Sequence, residues 1–116
     1  NWSDYSITYR LKFFSGNEGD VETHIRKANR KDYRLEIHRQ SVSFFVGLLG
    51  KQYPADIPAE DWMVIELMAV GTDIKASING KEIVSATDGR YKKGGGMIAV
   101  SANVKACVDD IVARKM

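Results

Sequence analysis

In the stretch YSITYRLKF, residues 5–13, every second side chain is large and apolar. Tyr5, Ile7, Tyr9, Leu11 and Phe13 share one parity, and Ser6, Thr8, Arg10 and Lys12 share the other. Successive side chains of an extended chain point to opposite sides, whereas a helix would scatter these residues around its circumference. The stretch is therefore a strand with one buried face, and its backbone groups require neighbouring strands as partners. The same period returns in VETHIRKA, with Val21, Thr23 and Ile25 against Glu22, His24 and Arg26. It returns again in YRLEIH, with Tyr33, Leu35 and Ile37 against Arg34, Glu36 and His38.

Later segments keep to this pattern. SVSFFVGLLG, residues 41–50, reads as a more apolar fourth strand, and KQYPADIPAED, 51–61, holds both prolines and reads as the longest irregular connection. WMVIELMAVG follows as a fifth strand; its length would also allow a short helix, but its neighbours are β-rich. In DIKASINGKEIVSA two alternating runs flank Asn79-Gly80, a pair that readily takes the positive φ angles of a tight hairpin turn. MIAVSA and VKACVDDIVARK close the chain as two more strands. About nine short strands without a convincing helix predict an all-β fold: an antiparallel β-sandwich of jelly-roll type, in one domain over 1–116. The stripe of 5–13 is expected to pack against the apolar strands at 44–49, 62–70 and 97–100.

A net charge of +2 gives no pointer to nucleic acid or to a membrane surface, and no apolar run approaches the roughly 18 residues of a membrane span. The single cysteine, Cys107, excludes an internal disulfide and any multi-cysteine metal site, and reads as a core residue of its strand. Nothing in the first ten residues forms the apolar centre of a signal peptide.

Several segments together resemble a known family. NWSDYSITYRLKF, IRKANRKDYRLEI, DWMVIELMAVGTDIKASINGKEI and GGGMIAVSANVKACVDDIVARK follow one another as in the laminin-G-like, concanavalin A-like jelly rolls of bacterial carbohydrate-active proteins. The carriers are Trp2 and Tyr5, Ile25-Arg26 with Tyr33-Arg34-Leu35, Trp62, Ile78-Asn79-Gly80 and Asp109-Asp110-Ile111. That group includes carbohydrate-binding modules and 3-keto-disaccharide hydrolase domains. The resemblance implies a concanavalin A-like sandwich, here without the strands that family members usually carry before Trp2. It also implies a lectin-like, carbohydrate-binding role outside the cytoplasm, and a ligand face to which the strands at 21–26 and 33–38 commonly contribute.

The two polar triplets, Glu22/His24/Arg26 and Arg34/Glu36/His38, are accordingly the candidate site. In an antiparallel hairpin all six would share one face, and a register pairing His24 with Glu36, Arg26 with Arg34 and Glu22 with His38 is compatible with that parity. Planar donors and acceptors of this kind suit sugar hydroxyls and carboxylates. Tyr53, Trp62 and Tyr91, at or beside loops, are candidates for the ring on which a sugar stacks, Tyr53 and Trp62 foremost. The ligand-binding set is therefore His24, Arg26, Arg34, Glu36, His38, Tyr53 and Trp62. The alternative is a solvated sheet face whose charge pairs contribute about 0.2–1 kcal/mol each.

A metal on Glu22, His24, Glu36 and His38 would need ligands from two flat strands to converge. Asp20 or Asp88 offers oxygen for a loop-held calcium ion, as in some laminin-G-like modules, but no run has the density of a calcium loop. No cofactor is otherwise expected. The Glu-x-Asp-x-x-Glu pattern of laminarinase-type glycosidases is absent, so no catalytic residue is assigned. GGGMIA has a dinucleotide-loop spacing but precedes a strand rather than a helix. The basic residues Arg26, Lys27, Arg30, Lys31 and Arg34 suit an anionic polysaccharide better than nucleic acid, because no aromatics interleave them for base stacking. The expected partner is a polysaccharide or oligosaccharide, with no nucleic acid and no membrane insertion. The parent is expected to be a larger extracellular or periplasmic protein, with hydrolysis of 3-keto-glycosides and a structural interaction module as the alternatives.

Overall fold

A computed structural model describes residues 2–29, 31–55 and 57–116. Ten strands follow in chain order: β1 (Tyr5–Phe13), β2 (Val21–Ala28), β3 (Lys31–Ile37), β4 (Ser41–Val46), β5 (Leu49–Pro54), β6 (Met63–Val70), β7 (Asp73–Ile78), β8 (Lys81–Thr87), β9 (Gly95–Val100) and β10 (Ala106–Lys115). They form two antiparallel sheets of five, in the orders β10-β1-β6-β7-β8 and β5-β4-β3-β2-β9. The expected antiparallel sandwich is thus what the chain forms. Among the described residues no helix is long and apolar enough to cross a membrane.

The core lies between the sheets, where β2 crosses β1 and β6. All five residues of the β1 stripe are buried, and they meet Val21, Ile25, Leu35, Ile37 and Phe44 from the opposite sheet. The Tyr9 hydroxyl bonds across the layer to Thr23 Oγ1 at 2.6 Å. Burial pushes the Tyr9 phenol well above its ordinary range, against a smaller lowering from that bond. One expectation about the core is corrected. The segment 62–70 does not face β1 but lies beside it as β6, with Tyr9 opposite Ile65 in the same sheet. Its inward residues Met63, Ile65, Leu67 and Ala69 are buried on alternate positions, which settles it as a strand.

The expected fourth strand is in fact two. Gly47, at φ 59°, and the exposed Leu48 turn the chain between Val46 and Leu49, and β5 occupies residues expected to be irregular. Asn79 and Gly80, at φ 52° and 80°, form the predicted tight turn between Ile78 and Lys81. Cys107 is exposed rather than buried, because β10 is an edge strand largely open to solvent.

The β2–β3 hairpin departs from simple alternation. Ile25 pairs with Tyr33 and Ala28 with Lys31, so Arg26 and Lys27 lie against the single residue Asp32. This is a β-bulge, with Arg26 at φ 54° and Asn29 at φ 58°. Beyond Arg26 the parity of the strand no longer holds.

Candidate functional site

The bulge removes Arg26 from the outer face. Its side chain is 2% exposed, and its guanidinium is held from several directions. Nε donates to Ser3 O at 2.7 Å, Nη1 to Gly71 O at 2.8 Å and to Tyr91 O at 3.1 Å, and Nη2 to Asp4 Oδ1 at 3.1 Å. Its backbone N–H donates to the Tyr5 hydroxyl at 2.8 Å, which in turn donates to Gly94 O at 2.9 Å. Arg26 closes one end of the sandwich, tying the segment before β1 to the β6–β7 turn and to the loop before β9. It is not available to a ligand.

The remaining polar residues do share the outer face of the sheet β5-β4-β3-β2-β9, in a register shifted by two from the expected one. Glu22 stands opposite Glu36, and His24 opposite Arg34. His24 is 5% exposed, and both ring nitrogens are engaged: Nδ1 with the buried Asp32 carboxylate, and Nε2 with Glu22 Oε1 at 3.0 Å. Lys27 Nζ lies 3.5 Å from the same Asp32 carboxylate. His24 therefore fastens its own strand pair rather than reaching outward.

Arg34, Glu36 and His38 stay together and partly open. Arg34 Nε lies 2.8 Å from Glu36 Oε2, too poorly aligned for a hydrogen bond, and His38 Nε2 lies 3.6 Å from Glu36 Oε1. The Arg34 guanidinium carbon sits 4.2 Å from the centre of the Phe45 ring. Phe45 faces outward because β4 alternates, with Ser41, Ser43 and Phe45 opposite in parity to Val42 and Phe44. Phe45 pairs with Arg34 and Ser43 with Glu36, so an aromatic ring adjoins the polar group. At the position of Gly50 a Cβ would come within 2.4 Å of that ring, so glycine there leaves room for it. A surface depression lined by Asn17, His38, Ser41 and Gln52 opens beside His38.

The expected aromatics stand elsewhere. Tyr53 pairs with Val42 on the inward parity of the edge strand β5 and packs on the core, with Lys51 Nζ 5.2 Å from its ring. Trp62, 40% exposed, lies against the other sheet's outer surface, with the Arg10 guanidinium 4.5 Å and Lys12 Nζ 5.8 Å from its ring. Neither touches the polar face. Phe45 is the aromatic that does, and the parity of SVSFFV carried that signal.

Among the described residues the basic run does not form a patch either. Arg26 is buried, Lys27 and Arg34 are paired with carboxylates, and Arg30 lies outside the described residues. Asp88 is also occupied, accepting from the Tyr33 hydroxyl at 2.8 Å and from the Arg90 N–H at 2.9 Å. Asp20 instead joins Glu36 and His38: one donor atom from each residue lies within 4.8 Å of the others.

No protein-family model matches the chain, and no curated protein sequence matches it. Solved structures do. The carbohydrate binding module CBM66 of Bacillus subtilis superposes with a TM-score of 0.80 at 15% identity, over 97% of this chain and 76% of that one. A Bacillus subtilis protein of unknown function with a galectin-like fold gives 0.79 at 12% identity, over 96% and 71%. Sheep galectin-11, solved with glycerol, gives 0.73 at 7% identity, over 97% and 91%. At these identities the likeness establishes the fold: the β-sandwich of galectins and of such modules.

Proposed function

We propose that this domain is a non-catalytic carbohydrate-binding module, and that it binds sugar on the outer face of the sheet β5-β4-β3-β2-β9. The observation that carries the reading is the cluster of Arg34, Glu36 and His38 beside the outward-facing Phe45 ring. A pyranose presents hydroxyls at its rim and C–H groups on its face, so it needs planar polar partners next to an apolar plate. Arg34 and Glu36 supply the first, and the half-buried Phe45 ring, with the Arg34 guanidinium over it, supplies apolar surface beside them. Arg34 is already braced by its neighbours, which reduces the conformational entropy lost on binding. Two of the superposing structures are a carbohydrate binding module and a galectin, which supports the same reading.

The face is arranged for holding rather than for proton transfer. Glu36 is held by Arg34, while Glu22 and Asp32 are held by His24. We further propose that the domain is an accessory to a larger extracellular or periplasmic protein.

The test is a glycan array at physiological salt, comparing the wild type with Arg34→Ala and Phe45→Ala. Hydrogen bonds to a charged group contribute about 1.5–3 kcal/mol. Arg34→Ala is therefore expected to weaken binding by about 10–100-fold, with the unfolding midpoint nearly unchanged. Silence of the wild type, or full binding by both variants, would overturn the proposal in favour of a structural interaction module.

A further inference from the structure

We infer that Asp20, Glu36 and His38 form a binding site for a divalent first-row transition metal, with zinc as the ion that suits it best. The site shares Glu36 and His38 with the proposed sugar face but does not depend on sugar binding. The three residues come together because of the β2–β3 register. Val21 pairs with Ile37 and Glu22 with Glu36, so the residue before β2 and the residue after β3 meet on the same outer face.

The distances suit a shared ion. His38 Nε2 and Glu36 Oε1 are 3.6 Å apart, too far for a strong hydrogen bond. Two donors bound to one tetrahedral zinc at about 2.1 Å stand roughly 3.4 Å from each other. The full set of donors, within 4.8 Å, closes on an ion with less than about 1 Å of side-chain movement.

Asp20 is held in place at the edge of this group. The residue is only 9% exposed, and among the described residues no donor hydrogen-bonds or ion-pairs with its carboxylate. Its oxygens still reach solvent, so an ion can approach them without a protein donor standing in the way. The carboxylate is aimed at Glu36 and His38. Its backbone is fixed from both sides: the N–H donates to Ser101 Oγ at 2.9 Å, and the carbonyl accepts from the Ser101 N–H at 3.1 Å. At Gly19 a Cβ would lie 2.4 Å from Ser101 Oγ and 2.5 Å from the Val104 nitrogen, so the approach to Asp20 is tightly seated. On the other strand the His38 N–H donates to Ser41 O at 2.9 Å. The donors thus sit on braced backbone.

The donor chemistry selects the ion. One imidazole and two carboxylates form a mixed nitrogen and oxygen set, which favours zinc over manganese, whereas calcium takes oxygen donors almost exclusively. Three protein ligands leave a fourth position, and His38 borders a surface depression through which water would reach it.

The test is calorimetric titration of chelator-treated protein with zinc, and in parallel with calcium, without any sugar present. One zinc per chain is expected, with binding weakened by more than about 100-fold in both Asp20→Asn and His38→Gln; loss of an outer partner alone costs about 10–100-fold. Cobalt in place of zinc should give a visible absorption band that both variants lack. Unfolding midpoints of the metal-free variants near the wild-type value would show that the fold is kept. A wild type that binds no zinc would overturn the inference. So would zinc binding that survives both substitutions, or calcium binding that is tighter than zinc and indifferent to His38→Gln.

Discussion

Arg26→Met separates the structural arginine from the ligand-facing one. Methionine keeps most of the apolar stem but removes the guanidinium, leaving the carbonyls of Ser3, Gly71 and Tyr91 without their donor. Each such loss costs about 1–1.5 kcal/mol, so the three together cost about 3–5 kcal/mol. The ion pair with Asp4 adds little, because the Asp4 side chain is 41% exposed and solvent screens it. Unfolding entropy of about 2.1 cal/mol/K per residue translates this cost into a fall in midpoint of roughly 12–20 °C for a chain of this length. Denaturant unfolding followed by tryptophan fluorescence measures the cost. Arg26→Lys should recover only part of it, since an ammonium cannot meet acceptors spread around a planar guanidinium.

The same samples should then be tested for sugar binding under conditions where the variants are folded. Arg26→Met is expected to bind like the wild type, in contrast to Arg34→Ala. A loss of stability below about 1 kcal/mol would refute the clamp. A folded Arg26→Met protein that had lost glycan binding would refute the placement of Arg26 away from the face.

Two other expectations rest on the same end of the sandwich and on the core. Gly94 is at φ 155°, and a Cβ there would lie 2.5 Å from the Arg26 carbonyl carbon; Gly94→Ala should therefore cost about 3 kcal/mol in a denaturant titration. Gly71, at φ 59° with open space around its Cβ position, should lose only about 1 kcal/mol as Gly71→Ala. At alkaline pH the phenols of Tyr5, Tyr9 and Tyr33, all raised chiefly by burial, should resist ionisation in the folded state. Up to about pH 9 they are protonated in both states; from there, through the unfolded value near 10, the unfolded chain releases protons that the folded chain retains, so stability falls as pH rises. A titration followed by phenolate absorbance should show Tyr9 ionising only with unfolding, and early ionisation of all tyrosines in folded protein would contradict the burial.

The strands were legible because a period of two is written into side-chain chemistry, as in the buried stripe from Tyr5 to Phe13. The turn at Asn79-Gly80 was legible for the same reason, since few residue pairs accept two positive φ angles. The break after Val46 was hidden because Gly47 and Gly50 sit within an otherwise apolar run. What parity cannot reveal is a slide of two residues, which leaves every side chain on its original face. The sequence of β2 alternates through Arg26 without interruption, yet the backbone bulges there, and the expected pairing of Glu22 with His38 becomes Glu22 with Glu36. That slide decides the chemistry of the face. It places Arg34 beside His24 instead of beside Arg26, so one arginine is freed to lie over Phe45 while the other is buried as a clamp. It also carries Asp20, outside the expected polar triplets, into reach of His38. A pairing error invisible to hydrophobic pattern thus separates a face of six similar polar residues from one with a clamp, a sugar platform and a three-donor cluster.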